Sequence, residues 1–315
     1  MLSKHVATTN TDSKSGLIYG SAAYLCWGFF PLYWPLLDPA SPLEVLAHRI
    51  VWTLVFCVGL LTITRKWGAY RSILRQRRLM VPLAMASVVI TVNWGAFIWG
   101  VTNGHVIETS LGYFINPLMT VLLGVFLLGE NLRRLQWVAV GLGTLAVVVL
   151  TVDYGRPPWV ALVLATSFAT YGFLKKRANL GTIEALSVET TILTPFAIAY
   201  LVFLGTAGTL AFGNEGALNT VLLMGTGVVT GIPLLMFGAA ATRLTLTTIG
   251  ILQYLGPILQ FIFGLTIFGE EMGTARWIGF VMVWSALVIF TYDAMSTRRR
   301  AKRTADECAA ESTAI

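Results

Sequence analysis

The chain has 315 residues, 56% hydrophobic and 12% charged, with a formal net charge of +7. That charged share is about half that of a soluble domain, which excludes an ordinary water-soluble fold. The cations lie between long apolar runs, which excludes a nucleic-acid patch, and three scattered cysteines, Cys26, Cys57 and Cys308, exclude a disulfide framework and a thiolate metal site.

Residues 1–15 read as a polar N-terminal tail. Ten runs follow at 16–37, 43–64, 80–101, 107–128, 135–153, 158–174, 184–204, 218–241, 247–268 and 275–293. Each is long enough to cross about 30 Å of hydrocarbon as a helix. The first is too long for a signal-peptide core and lacks a small-residue cleavage site. Residues 294–315 read as a basic, then polar, tail. With the N-terminus inside, nineteen of the 22 Lys and Arg residues fall in cytoplasmic segments, only Arg156 and Arg276 fall outside, and Arg49 lies within a span. This alternation predicts ten crossings with both termini cytoplasmic.

The stretch 108–130 is written twice. An offset of 140 places Pro117 on Pro257, Gly124 on Gly264, Gly129 on Gly269, Glu130 on Glu270, Trp137 on Trp277 and Asp153 on Asp293, and nine of the 37 positions from 117 to 153 are identical. Five spans per copy is an odd number, so the second copy is inverted. The expected fold is an all-α integral membrane protein of ten transmembrane helices, a 5+5 inverted repeat around a central cavity. Its domains are the tail 1–15, a first five-helix repeat 16–153, a second 154–293 and the tail 294–315.

The residues Glu44-Val-Leu-Ala-His48-Arg49, Asn93-Trp-Gly-Ala-Phe-Ile-Trp99, Ser110-Leu-Gly-Tyr-Phe-Ile-Asn-Pro117, Ala241-Thr-Arg-Leu244 and Gln253-Tyr-Leu-Gly-Pro257 resemble the RarD proteins. That family belongs to the EamA branch of the drug/metabolite transporter superfamily. The resemblance implies a ten-helix permease of the bacterial cytoplasmic (inner) membrane with a basket-like cavity and outward transport. Chloramphenicol sensitivity gave the family its label, and no settled substrate carries over.

Helical spacing offers a lining for such a cavity. Tyr113, Asn116, Thr120 and Gly124 recur on one face, and Gln253, Gly256, Gln260 and Gly264 on its counterpart. Interhelical packing explains the same stripes equally well. Trp27, Trp94, Tyr113 and Tyr254 are the aromatic residues expected to join Asn116, Thr120, Gln253 and Gln260 at the solute. Pro117 and Pro257 each remove a backbone hydrogen bond and are expected hinges.

Ionisable residues in the spans are Glu44, His48, Arg49, Glu108 and Glu189, read as gate or structural pairs or as sites for substrate and proton. Glu44 and His48 are i, i+4 neighbours. Arg49 lies about 8 Å below the outer boundary at 1.5 Å per residue, and Glu108 is its expected partner. Lys175, Lys176 or Arg243 suit Glu189. Glu130 and Glu270 are expected helix-start charges, and Gly227 and Gly231 form a packing pair.

No phosphate-binding loop is present, the three histidines form no metal-like cluster, and no cofactor is expected. The reading is a secondary transporter, not an enzyme, which exports a small organic solute such as an amino-acid-like metabolite or a drug by alternating access. The alternative is a channel or a membrane-embedded enzyme without a recognisable motif. The expected partners are the small-molecule solute and the lipid bilayer, with a homodimer left open and no nucleic acid.

Overall fold

The computed structural model describes residues 10–313 apart from Glu130 and Asn179. The expectations for residues 1–9, for Glu130 and for the Lys176 side chain lie outside the described residues. The elements are α1 (Asn10–Tyr33), a 3-10 turn (Trp34–Leu37), α2 (Pro42–Ile63), α3 (Trp67–Arg75), α4 (Arg77–Thr102), α5 (Val106–Leu128) and α6 (Arg134–Tyr154). They continue with α7 (Trp159–Ala178), α8 (Thr182–Ala207), α9 (Gly216–Ala241), α10 (Leu246–Leu252), α11 (Leu255–Thr266) and α12 (Thr274–Thr313).

Among the described residues, eight helices are long and apolar enough to cross a membrane, against the ten spans expected. The expected first span is α1, which begins at Asn10 and takes in polar residues such as Lys14. The expected sixth is the shorter apolar stretch Trp159–Lys175. Neither is among the eight.

Three elements depart from the sequence reading. The stretch after α2, expected as a cytoplasmic segment between two spans, contains α3, whose Trp67, Tyr70, Ile73 and Leu74 share one face. Ile73 is buried with Leu83, Ala178 and Val188. The expected ninth span is broken into α10 and α11 at Gln253 and Tyr254, because Pro257 has no N–H to give to the Gln253 carbonyl. Its mate Pro117 sits inside an uninterrupted α5. Finally, α12 runs on to Thr313, so the expected polar tail continues the last helix.

The helices form two compact units, each drawing on both halves of the chain. The first is Met1–Tyr113 with Val160–Glu270, the second Phe114–Trp159 with Glu271–Ile315.

In the first unit α2 packs along α8 and α9, α1 along α9 and α11, and α4 against α8 and α2. Two acids tie α2 to α8. Glu44, in the first turn of α2, accepts hydrogen bonds from the Ala211 and Phe212 amides at 2.9 and 3.1 Å, just beyond the end of α8. Glu184, in the first turn of α8, pairs with Lys66 at 2.8 Å, just beyond the end of α2. The two helices are therefore antiparallel, and their acids are 140 positions apart. Helix α9 meets α2 backbone to backbone. A methyl group at Gly227 would lie 2.2 Å from the Trp52 carbonyl oxygen, and one at Gly231 would lie 2.1 Å from the Phe56 ring.

The second unit repeats this arrangement with α6 and α12. Asp153, at the end of α6, accepts from Arg276 at the start of α12 at 2.8 Å. At the other end Asp293 accepts from Arg133 Nε at 2.8 Å. These helices are also antiparallel, and Leu150 fills the space beside Gly279. The later half of α5 joins through Leu118 against Gly143 and Phe114 edge-on to Trp284.

Candidate functional site

The first unit buries several ionisable side chains where apolar packing alone needs none. Arg49 is 3% exposed. Because Gly227 and Gly231 bring α9 so close to α2, Thr230 between them reaches the guanidinium, and Arg49 Nε donates to Thr230 Oγ1 at 2.9 Å. The cation lies 4.1 Å above the Trp94 ring, with Trp34 at 5.1 Å and Phe30 at 5.6 Å. Each such contact stabilises a desolvated cation by about 0.5–2 kcal/mol. Tyr113 is within electrostatic reach of the same group.

Glu108 is not the partner of Arg49, contrary to expectation. Its Oε1 accepts from the Val160 amide at 2.9 Å, at the first turn of α7. An unsatisfied helix start offers a carboxylate both donors and the positive end of the dipole. Glu270 does the same elsewhere: it accepts from the Val106 amide and, at 3.1 Å, from the Ile107 amide. It is thus a helix-start charge for α5, not for the α12 helix that follows it in sequence.

Glu44 and His48 lie on one face of α2, but their closest approach, 3.8 Å, is too long for a hydrogen bond. The His48 ring instead stacks on Phe212 with centroids 4.6 Å apart, and neither ring nitrogen has a hydrogen-bond partner among the described residues. Trp52 flanks Phe212 at 6.4 Å. The α8–α9 connection is therefore fastened to the start of α2 by a carboxylate and a ring stack. Deeper in α8, Glu189 is held by Lys175 at 2.9 Å and the Tyr171 hydroxyl at 2.9 Å. Lys175 was one of three expected cations; Arg243 donates instead to the Ala239 carbonyl at 2.7 Å.

Of the expected cavity residues, Trp94 and Tyr113 come together at Arg49. The Tyr113 hydroxyl makes a long, 3.4 Å hydrogen bond to Asn93 Oδ1, and Asn93 Nδ2 donates to the Leu164 carbonyl and Ser167 Oγ. Trp27 sits with Tyr24 and Phe237, and its carbonyl accepts from Gln260 Nε2 at 3.2 Å. Gln260 thus bridges α1 and α11, the packing role weighed for it. Gln253 and Tyr254 occupy the break between α10 and α11, and the Pro257 carbonyl accepts from Ser110 Oγ at 2.8 Å. These residues all belong to the first unit. Asn116 and Thr120 belong to the second, where Asn116 Oδ1 is buried without a hydrogen-bond partner among the described residues and Thr120 Oγ1 donates to the Asn116 carbonyl at 3.0 Å.

Residues 14–152 match the EamA-like transporter family. The chain is 51% identical over 291 residues to "Protein RarD" of Streptomyces exfoliatus, covering 92% of each chain. It is 40% identical over 296 residues to "Uncharacterized transporter YojE" of Bacillus subtilis (strain 168), covering 93% of this chain and 99% of that one. A crystal structure with 17% identity aligns over 90% of this chain and 99% of its own with a TM-score of 0.58, a likeness of fold alone.

Proposed function

The chain belongs to the RarD proteins of the EamA-like family, in the drug/metabolite transporter superfamily, and is a multi-pass transporter of the bacterial inner membrane; from that premise we propose that it moves a small organic solute by alternating access. The observation that carries the reading is the pairing of repeat-related helices. Helix α2 runs antiparallel to α8 and α6 to α12, and each pair is fastened at both ends through acids 140 positions apart. Inverted repeats supply two arrangements of similar energy that expose one site to opposite sides.

In this reading α1 and the Trp159–Lys175 stretch complete ten crossings, in two inverted sets of five with both termini cytoplasmic. Glu44, His48 and Phe212 fasten a gate, Glu189 with Lys175 couples movement to a proton, and the break ahead of Pro257 is a hinge. The direction is outward and the solute an amino-acid-like metabolite or a drug, contacted in the first unit by Trp94 and Tyr113.

Two-sided accessibility tests this. A single cysteine replacing Asn116, in a chain freed of native cysteines, is to be probed with membrane-impermeant thiol reagent from each face of oriented proteoliposomes. A carrier labels from either face, with labelling from one face protected when the protein is locked toward the other. Simultaneous unprotected access from both faces favours a channel, and no access from either refutes the assignment of Asn116.

A further inference from the structure

Arg49 carries a charge that the protein does not neutralise. Among the described residues it forms no ion pair, and its hydrogen bonding ends at Thr230, through Nε. The three aromatic rings around it offer faces and no acceptor for the Nη groups. Other buried charges in this unit are matched: Glu189 by Lys175 and Tyr171, Glu44 by two backbone amides, Glu108 by a helix start. An unmatched guanidinium inside a span is costly to keep, and a structural role would be served better by a neutral side chain.

With Nε occupied, the end of the guanidinium presents Nη1 and Nη2, two parallel donors at the spacing of a carboxylate. The Tyr113 hydroxyl, in electrostatic reach of the guanidinium, gives its one proton to Asn93 Oδ1 over a long 3.4 Å bond. Trp34 and Phe30 supply apolar wall, and the cation nearest in character, Lys175, is already engaged by Glu189. One positive charge in an aromatic box suits one negative charge on an apolar body.

We infer that Arg49 is the anion-recognition residue of this transporter, taking the carboxylate of a monocarboxylate solute with an apolar body end-on. This rests on the carrier reading above and narrows its substrate class. At 3% exposure the site is occluded in this conformation, so a solute reaches it only in an opened state.

The experiment titrates the purified full chain, in detergent free of anionic lipid, with phenylacetate, hexanoate and L-leucine, each against its primary amide. Tryptophan fluorescence is the readout, since Trp94 lies under the cation. At least one acid is expected to bind about tenfold or more tightly than its amide, the preference a charge-assisted bidentate contact confers. Arg49→Gln is expected to reduce that preference to less than about threefold, and Thr230→Val, which frees Nε, to weaken acid binding more than amide binding. Should Arg49→Gln fail to fold, the wild-type comparison and Thr230→Val decide the matter alone. Equal binding of acids and amides, no binding of either, a preference that survives Arg49→Gln, or displacement of the acid by phosphatidylglycerol at this residue would each overturn the inference. Trans-stimulated flux in proteoliposomes separates the two readings: acid-selective binding without flux keeps the carboxylate site and removes the carrier, while saturable flux indifferent to carboxylates keeps the carrier and removes the site.

Discussion

Asp153 and Asp293, 140 positions apart in sequence, close the two ends of one antiparallel helix pair, Asp153 on Arg276 and Asp293 on Arg133. Each acid meets an arginine at the start of the other helix. The Asp293 side chain is 6% exposed and that of Asp153 21%. The buried Asp293 carboxylate accepts from two nitrogens of Arg133, whereas the wetter Asp153 accepts from one of Arg276, so replacing Asp293 removes more. Asp293→Asn is expected to lower the thermal midpoint in detergent more than Asp153→Asn, with a loss of about 1–3 kcal/mol against under about 1. Equal effects would mean that both pairs are solvated rim contacts.

The Glu44 carboxylate satisfies two amides of the α8–α9 connection. Glu44→Gln keeps one weaker acceptor and is expected to cost about 1–2 kcal/mol while raising passive leak in proteoliposomes, since the same contact fastens the proposed gate. Phe212→Ala, which removes the His48 stack, is expected to raise leak in the same direction. A destabilised but tight protein would restrict both residues to structure.

Gly227 faces backbone and Gly141 faces open space. Gly227→Ala would place a methyl 2.2 Å from the Trp52 carbonyl, which cannot yield as a side chain does. The expected loss is about 1–3 kcal/mol, with Thr230 drawn away from Arg49. Gly141→Ala, in the interior of α6, is expected to be neutral or stabilising by about 0.5–1 kcal/mol. Thermal melts of the two variants side by side check the contrast.

Glu189, bound by Lys175 and Tyr171 and 1% exposed, is the acid assigned to proton coupling. Glu189→Gln is expected to abolish acceleration of uptake by an imposed pH gradient while preserving solute exchange at equal pH. Undiminished acceleration in this variant would place the coupling elsewhere or remove it.

Much of this arrangement is legible in the sequence because it is periodic or duplicated. The 140-residue offset marks Asp153 and Asp293 as equivalent, the missing N–H of Pro257 marks a bend though not the full break between α10 and α11, which Pro117 does not cause in α5, and the i, i+4 spacing places Glu44 beside His48. The partners are harder to read. Thr230 lies 181 positions from Arg49 and carries no charge to betray it, and Phe212 stands in a connection without helical period. Glu108 was a reasonable match for Arg49 by charge and depth, but the start of α7 satisfies it first. Helix α3 is hard to read because Arg71 and Arg75 give its nine residues the look of a solvated segment, although its four large apolar side chains share a face.

The most direct test of the carrier account is counterflow. Proteoliposomes containing the protein are preloaded with an unlabelled solute from a panel of amino acids, monocarboxylates and chloramphenicol, then given a trace of the labelled compound outside. The account predicts transient accumulation above equilibrium for at least one solute, saturating with concentration and lost on dissipating the internal load. Uptake that never exceeds equilibrium and does not respond to internal solute would contradict alternating access and identify a passive pore.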